Sequence, residues 1–146
     1  MRKGKKYWAE QINKLVQFCD IKGWKIVFKG NGPDQCYLTT KIIEIGTSQS
    51  VENMVYSLLH EIGHMIENQN KSWYKKKYKG LNYKKTSKIY KISIIHEEIS
   101  AWDVGLKVAN KLKIELNEKN FLKIKSTYIF YYLENVVLSG KASLEE

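Results

Sequence analysis

The sequence predicts a single α+β domain, on three observations. Amphipathic helical spacing fills both ends of the chain, short β-branched and aromatic runs cluster between residues 24 and 45, and glycine-rich turns separate the two kinds of pattern. With 146 residues, 43% of them hydrophobic, 12% aromatic and only one proline, the chain can bury one sizeable core but not two.

In order along the chain, Trp8, Ile12, Leu15, Val16 and Cys19 recur at helical spacing, which predicts an N-terminal helix over residues 7–19 closed by Gly23. Residues 24–28 (Trp-Lys-Ile-Val-Phe) read as a strand, and Gly30-Asn31-Gly32-Pro33-Asp34 as a turn. Residues 36–40 and 41–45 are strand-like, as two short strands or one bent one, so the sheet has about three strands. Ser48, Gln49, Ser50 and Glu52 then offer N-cap and first-turn groups to a second helix. On that helix Val51, Met54, Val55, Leu58, Leu59, Ile62, Met65 and Ile66 form one wide apolar face. Asn53, Tyr56, Ser57, His60 and His64 fall on the other side, which is expected to open onto a cleft or solvent.

Beyond Glu67 the composition changes. Residues 71–91 hold nine lysines and no acid, interleaved with Trp73, Tyr74, Tyr78, Tyr83 and Tyr90. The favoured reading is a solvated, mobile connection with some rings tucked against the body, since the charge run is short and directly follows residues 60–67. A nucleic-acid surface of lysines and stacking rings, or a lid or exosite that draws acidic polypeptide, are the alternatives. Residues 94–112 form a further helix. Residues 121–138 read as one helix or two, buried on a broad aromatic face, with residues 139–146 as a tail.

Net charge is +10 and the sequence pI about 9.5, a balance that favours polyanions as partners. Only Arg2 among the 25 basic residues is an arginine, whose bidentate fork direct base readout leans on, so non-specific phosphate affinity is expected rather than sequence-specific recognition of DNA. No apolar run resembles a signal peptide or membrane span, so a cytoplasmic monomer with no membrane partner is expected. Cys19 and Cys36 are two and far apart in sequence, which suggests buried free thiols rather than a disulfide framework or a cysteine metal site.

The chemistry-bearing stretch is His60-Glu61-Ile62-Gly63-His64. Two histidines four residues apart on a helix project from one face a turn apart, the separation at which both imidazoles reach one zinc ion. The glutamate between them can then serve as general base toward a water at the metal. A catalytic zinc needs a third protein ligand, and Glu98, Glu97 and His96 are the candidates. Helical phase favours Glu98, which lies among Ile95, Ala101, Trp102, Gly105 and Ala109, whereas Glu97 turns toward Ser100, Lys107 and Lys111. A carboxylate set against an apolar face is costly unless paired or metal-bound. Ala101 and Gly105 beside it would let the two helices approach closely.

His60-Glu61-Ile62-Gly63-His64 followed by Glu98-Ile99-Ser100-Ala101-Trp102 resembles the gluzincin metallopeptidases. It is most similar to small intracellular members of the ImmA/IrrE kind and to minimal phage or mobile-element peptidases. The resemblance covers residues 41–112 and implies a zincin-like fold, a Zn2+ cofactor, His60, His64 and Glu98 as metal ligands, and Glu61 as the catalytic base of peptide-bond hydrolysis. Thermolysin-like members carry an aspartate four residues after the ligand glutamate, where this chain has Trp102. Glu97 and His96 stay open as alternative ligands, and His96 or a tyrosine of residues 71–91 as the stabiliser of the tetrahedral oxyanion. The substrate is expected to be a polypeptide, an acidic one if the lysines take part, extended along residues 41–45 as a sheet edge. The competing class is a non-catalytic, zinc-containing, lysine-rich domain of a mobile element that binds nucleic acid or protein.

Overall fold

A computed structural model describes residues 3–138, and the expected tail at residues 139–146 lies outside them. The first helix, α1, runs over Lys5–Ile21 and ends at Gly23, whose φ of +81° suits glycine. Three strands follow: β1 (Lys25–Lys29), β2 (Gln35–Tyr37) and β3 (Ile42–Gly46). Then come α2 (Val51–Glu67), the short α3 (Lys71–Lys77) with a 3₁₀ turn at Lys79–Asn82, the long α4 (Lys88–Lys111), and α5 (Glu118–Tyr132), which passes into a π-helical turn at Leu133–Leu138. The architecture is α+β, five α-helices with one small mixed sheet among the described residues. No described helix is long and apolar enough to cross a membrane.

Strand order is β1-β3-β2, with β1 parallel and β2 antiparallel to β3. This corrects the expectation that residues 41–45 form a sheet edge: β3 is the central strand. Its alternating Ile43 and Ile45 are both fully buried, and the most apolar strand is the one that gains most from pairing on both sides. The edges are β1 and β2.

Helix α2 is the hub, packed by α1, β2, β3, α4 and α5. Its start is set by the Ser50 side chain, which accepts a hydrogen bond from the Asn53 N–H at 3.1 Å. A second expectation fails here. Tyr56, Ser57 and His60, read as an open face, are buried, because α4 and α5 close over them. Trp8, Tyr56, Phe121 and Trp102 meet edge to face along this side, and the Tyr56 hydroxyl donates to Glu52 at 2.6 Å.

The lysine-rich segment keeps most of its lysines exposed and tucks some rings against the body, as expected, but it is helical and packed on α4 rather than a mere connection. Tyr74, Tyr78 and Leu81 fall at i, i+4, i+7 and turn inward, with Tyr78 only 2% exposed. Gly80 lies so close to α4 that a Cβ there would sit 1.9 Å from the Ser93 Oγ. The inward side is aromatic, so lysine count concealed it. At the C-terminal end the aromatic face is narrower than expected: Phe121 is buried, but Phe130 and Tyr131 are more than half exposed. Neither cysteine is in a disulfide; Cys19 is buried, and burial pushes its thiol up to about 12, while Cys36 is partly exposed.

Candidate metal centre

Helices α2 and α4 run antiparallel with their backbones in contact at two levels. A Cβ on Gly63 would lie 1.9 Å from the Ala101 carbonyl oxygen, and one on Gly105 would lie 2.4 Å from that of Leu59. Small residues at 63, 101 and 105 therefore permit an approach that any larger side chain would block. Between these contacts α2 presents His60 and His64, and α4 presents Glu98.

The three side chains converge. His60 Nε2 is 3.0 Å from Glu98 Oε1, His64 Nε2 is 3.1 Å from Glu98 Oε2, and the two Nε2 atoms are 3.2 Å apart. Donors about 2.05 Å from a tetrahedral zinc are separated by about 3.3 Å, so this spacing fits one ion. Proton arithmetic points the same way. With Glu98 ionised, both imidazoles must donate to it, which sets two N–H groups against each other. Removing either proton instead sets a lone pair against the carboxylate. A cation at the common focus satisfies all three groups.

Burial alone would raise the Glu98 carboxyl, but the His64 and His60 imidazoles outweigh it and hold that carboxyl well below the usual carboxylate range. Burial lowers His60, whose ring is kept neutral despite Glu98. Burial acts in the same direction on His64, yet there the carboxylates of Glu98, Glu61 and Glu97 prevail and raise it to about 10. Glu61, also buried, places Oε1 3.9 Å from His60 Nδ1, and Glu61, His60 and His64 each bring a ligand-type atom within 4.8 Å of the others. Glu97 is partly buried and makes a second such group with His64 and Glu98. His96 belongs to neither group; it is exposed, with its ring packed on Tyr78 at 5.2 Å.

No family model, no curated protein and no solved structure matches the chain. The site is therefore argued from its own geometry.

Several residues of the site were not found from sequence. Trp102 stacks face to face on His60, with ring centroids 4.3 Å apart and planes at 7°, where the resemblance leads one to look for an aspartate. Its indole N–H meets no acceptor among the described residues. The spacing of four residues from Glu98 marks the position in the sequence, but nothing local shows that a ring there stacks on His60. Tyr128 on α5 lies with its ring centroid 6.0 Å from that of His60, and its hydroxyl donates to Asp34 Oδ2 at 3.0 Å. Burial and the Asp34 charge push that phenol up to about 12. Asp34, read as a turn residue, also accepts from the Gly46 N–H at 2.8 Å. No local pattern links positions 34, 60 and 128.

Of the tyrosines of residues 71–91, Tyr78 is engaged elsewhere. The Tyr78 hydroxyl donates to Glu67, whose Oε2 also accepts from Lys77 Nζ at 2.9 Å and from Ser100 Oγ at 3.0 Å. Glu67 is 2% exposed and one turn beyond His64, so this cluster ties α3 to the end of the α2–α4 pair where His64 and Glu98 meet.

Proposed function

We propose that the protein is a zinc-dependent peptidase of the gluzincin type on a zincin-like fold, with His60, His64 and Glu98 as ligands and Glu61 as general base. The observation that carries this reading is the convergence of three donors at 3.0 to 3.2 Å with a second buried carboxylate, Glu61, beside them. Zinc supplies Lewis acidity and acidifies a water molecule when bound. Glu61, one residue after His60, would act as the general base, its carboxylate taking up the proton of the attacking water and releasing it to the leaving amine. Trp102 fixes the plane of the His60 ring, and the Tyr128 ring lies beside that histidine with its hydroxyl committed to Asp34. A peptide would lie extended against β2, the edge strand packed on α2.

The test is Glu61→Gln. Zinc content should stay near that of the wild type while hydrolysis of unfolded polypeptide falls by about 100-fold or more, because the proton acceptor is lost and the ligands remain. Cleavage at the wild-type rate sinks the mechanism. A second reading rests on Glu97, whose nearness to His64 and Glu98 would close the coordination sphere with four protein ligands and make the zinc structural. First-shell geometry from X-ray absorption separates the two, since only the peptidase keeps a water at the metal.

A further inference from the structure

We infer that the outer face of residues 71–91 is a binding surface for single-stranded nucleic acid, independent of the reaction at the metal centre. No aspartate or glutamate occurs between Glu67 and Glu97, whereas nine lysines do. The fold sorts them. Tyr78, Gly80 and Tyr90 are buried on the inner side, and Lys77 alone turns inward to Glu67, its Nζ also over the Trp73 and Tyr78 rings at 4.8 and 5.2 Å. Lys71, Lys75, Lys76, Lys79, Lys84, Lys85 and Lys88 are all exposed, so seven cations share the outward side of one short, packed stretch.

Two rings stand among them, Trp73 at 44% and Tyr83 at 55% exposure. Exposed rings between ammonium groups match a chain that alternates phosphates with flat bases, because each base has a face to stack. An acidic polypeptide would satisfy the charge and leave the rings unused. Lysine without arginine makes the surface tolerant of sequence, since a flexible ammonium lacks the rigid fork that matches two acceptors of one base edge. Because the segment is already folded, binding carries little cost of ordering the backbone.

Fluorescence anisotropy of a labelled oligothymidylate of about 15 nucleotides with the full chain tests this. With about four of the exposed lysines engaged, affinity should fall about 50-fold between about 50 and about 200 mM salt, a logarithmic slope of about −2.8. The combined Lys75→Gln, Lys76→Gln, Lys79→Gln variant should lose about 2 from that slope's magnitude. Lys84→Gln with Lys85→Gln, placed in the turn before α4, provides a second charge deletion if the first disturbs α3. Tyr83→Ala should weaken binding about tenfold without changing the salt slope or the melting temperature. The inference is overturned if the oligonucleotide does not bind at low salt, or if both charge deletions leave binding unchanged. It is equally overturned, in favour of acidic polypeptide, if polyglutamate of equal charge displaces the oligonucleotide as well as unlabelled oligothymidylate does and Tyr83→Ala has no effect.

Discussion

Replacing Gly63 by alanine tests the closeness of α2 and α4 through a change of sign. In an open helix interior Gly→Ala stabilises by about 1 kcal/mol, because alanine loses less backbone freedom on folding. Here the new methyl would lie 1.9 Å from the Ala101 carbonyl oxygen, 2.7 Å from its carbon and 3.0 Å from its Cα. All three are backbone atoms, so no side-chain rotation relieves the contact. Restoring a carbon–oxygen separation of about 3.4 Å requires the helices to part by about 1.5 Å, and overpacking on this scale costs about 1–3 kcal/mol. Set against the propensity gain, this leaves a net loss of about 1 kcal/mol, which near 150 residues lowers the melting temperature by about 3–4 °C. Ala101 is three residues after Glu98 and Gly63 adjoins His64, so the same displacement opens the 3.1 Å approach of His64 to Glu98. Zinc affinity should fall by about 10–100-fold, as for other changes that misplace ligands without deleting them. Thermal melts with and without zinc, and competition against a chromophoric chelator, measure both effects. If Gly63→Ala melts at or above the wild-type temperature with unchanged zinc affinity, the backbone contact does not position the site.

Glu98→Ala should strip the site of zinc at concentrations that saturate the wild type, whereas Glu97→Ala should cost about 100-fold at most, both measured at one pH by chelator competition; the reverse order would move the third ligand to Glu97. For the metal-free protein, His64 is raised to about 10, above its unfolded value of about 6.5, so its contribution to stability is complete below about 6.5 and disappears as pH rises through about 10. Glu98 and His60 are both lowered, so theirs are present above the unfolded values and are lost as pH falls through the folded ones. The melting temperature should therefore peak near neutrality, and zinc binding at about pH 8 should release about one proton, drawn from His64. Calorimetry in buffers of different ionisation enthalpy reads that proton, and its absence contradicts the His64–Glu98 pairing.

Local pattern carried much of this structure and long-range packing the rest. The Ser50 cap, the three short strands and the inward phase of Glu98 each follow from spacing within about one or two turns of chain, the range over which helical and strand periodicity is informative. Sheet order is a different kind of property. It depends on which strand loses most by standing at an edge, and a five-residue run does not reveal that Ile43 and Ile45 will be covered on both sides. The open face expected of α2 differs for a similar reason, because Tyr56, Ser57 and His60 are polar enough to suggest exposure and are buried by partners distant in sequence, Trp8 on α1 among them. The Tyr56 hydroxyl donates to Glu52 on its own helix and accepts from the Asn117 N–H, which offsets its burial. In the lysine-rich stretch the charge count hid a spacing of Tyr74, Tyr78 and Leu81 that was present in the sequence throughout.

The arrangement of the centre explains why so many constraints fall on two helices. Two imidazoles and a carboxylate held within about 3 Å of one another in a buried setting repel, desolvate and compete for protons unless an ion or a shared proton relieves them. Something else must hold them together before the ion arrives. Backbone contact at Gly63 and Gly105 sets the helix separation on either side of the donors, and the Glu67 cluster fastens the open end through Tyr78, Lys77 and Ser100. Glu67 is itself a buried carboxylate, but each of its oxygens has a donor, so it stiffens the pair without adding an unmet charge. Lys77 is thus the one lysine of its stretch with a structural role, and it joins the basic outer face to the helices that carry His64 and Glu98.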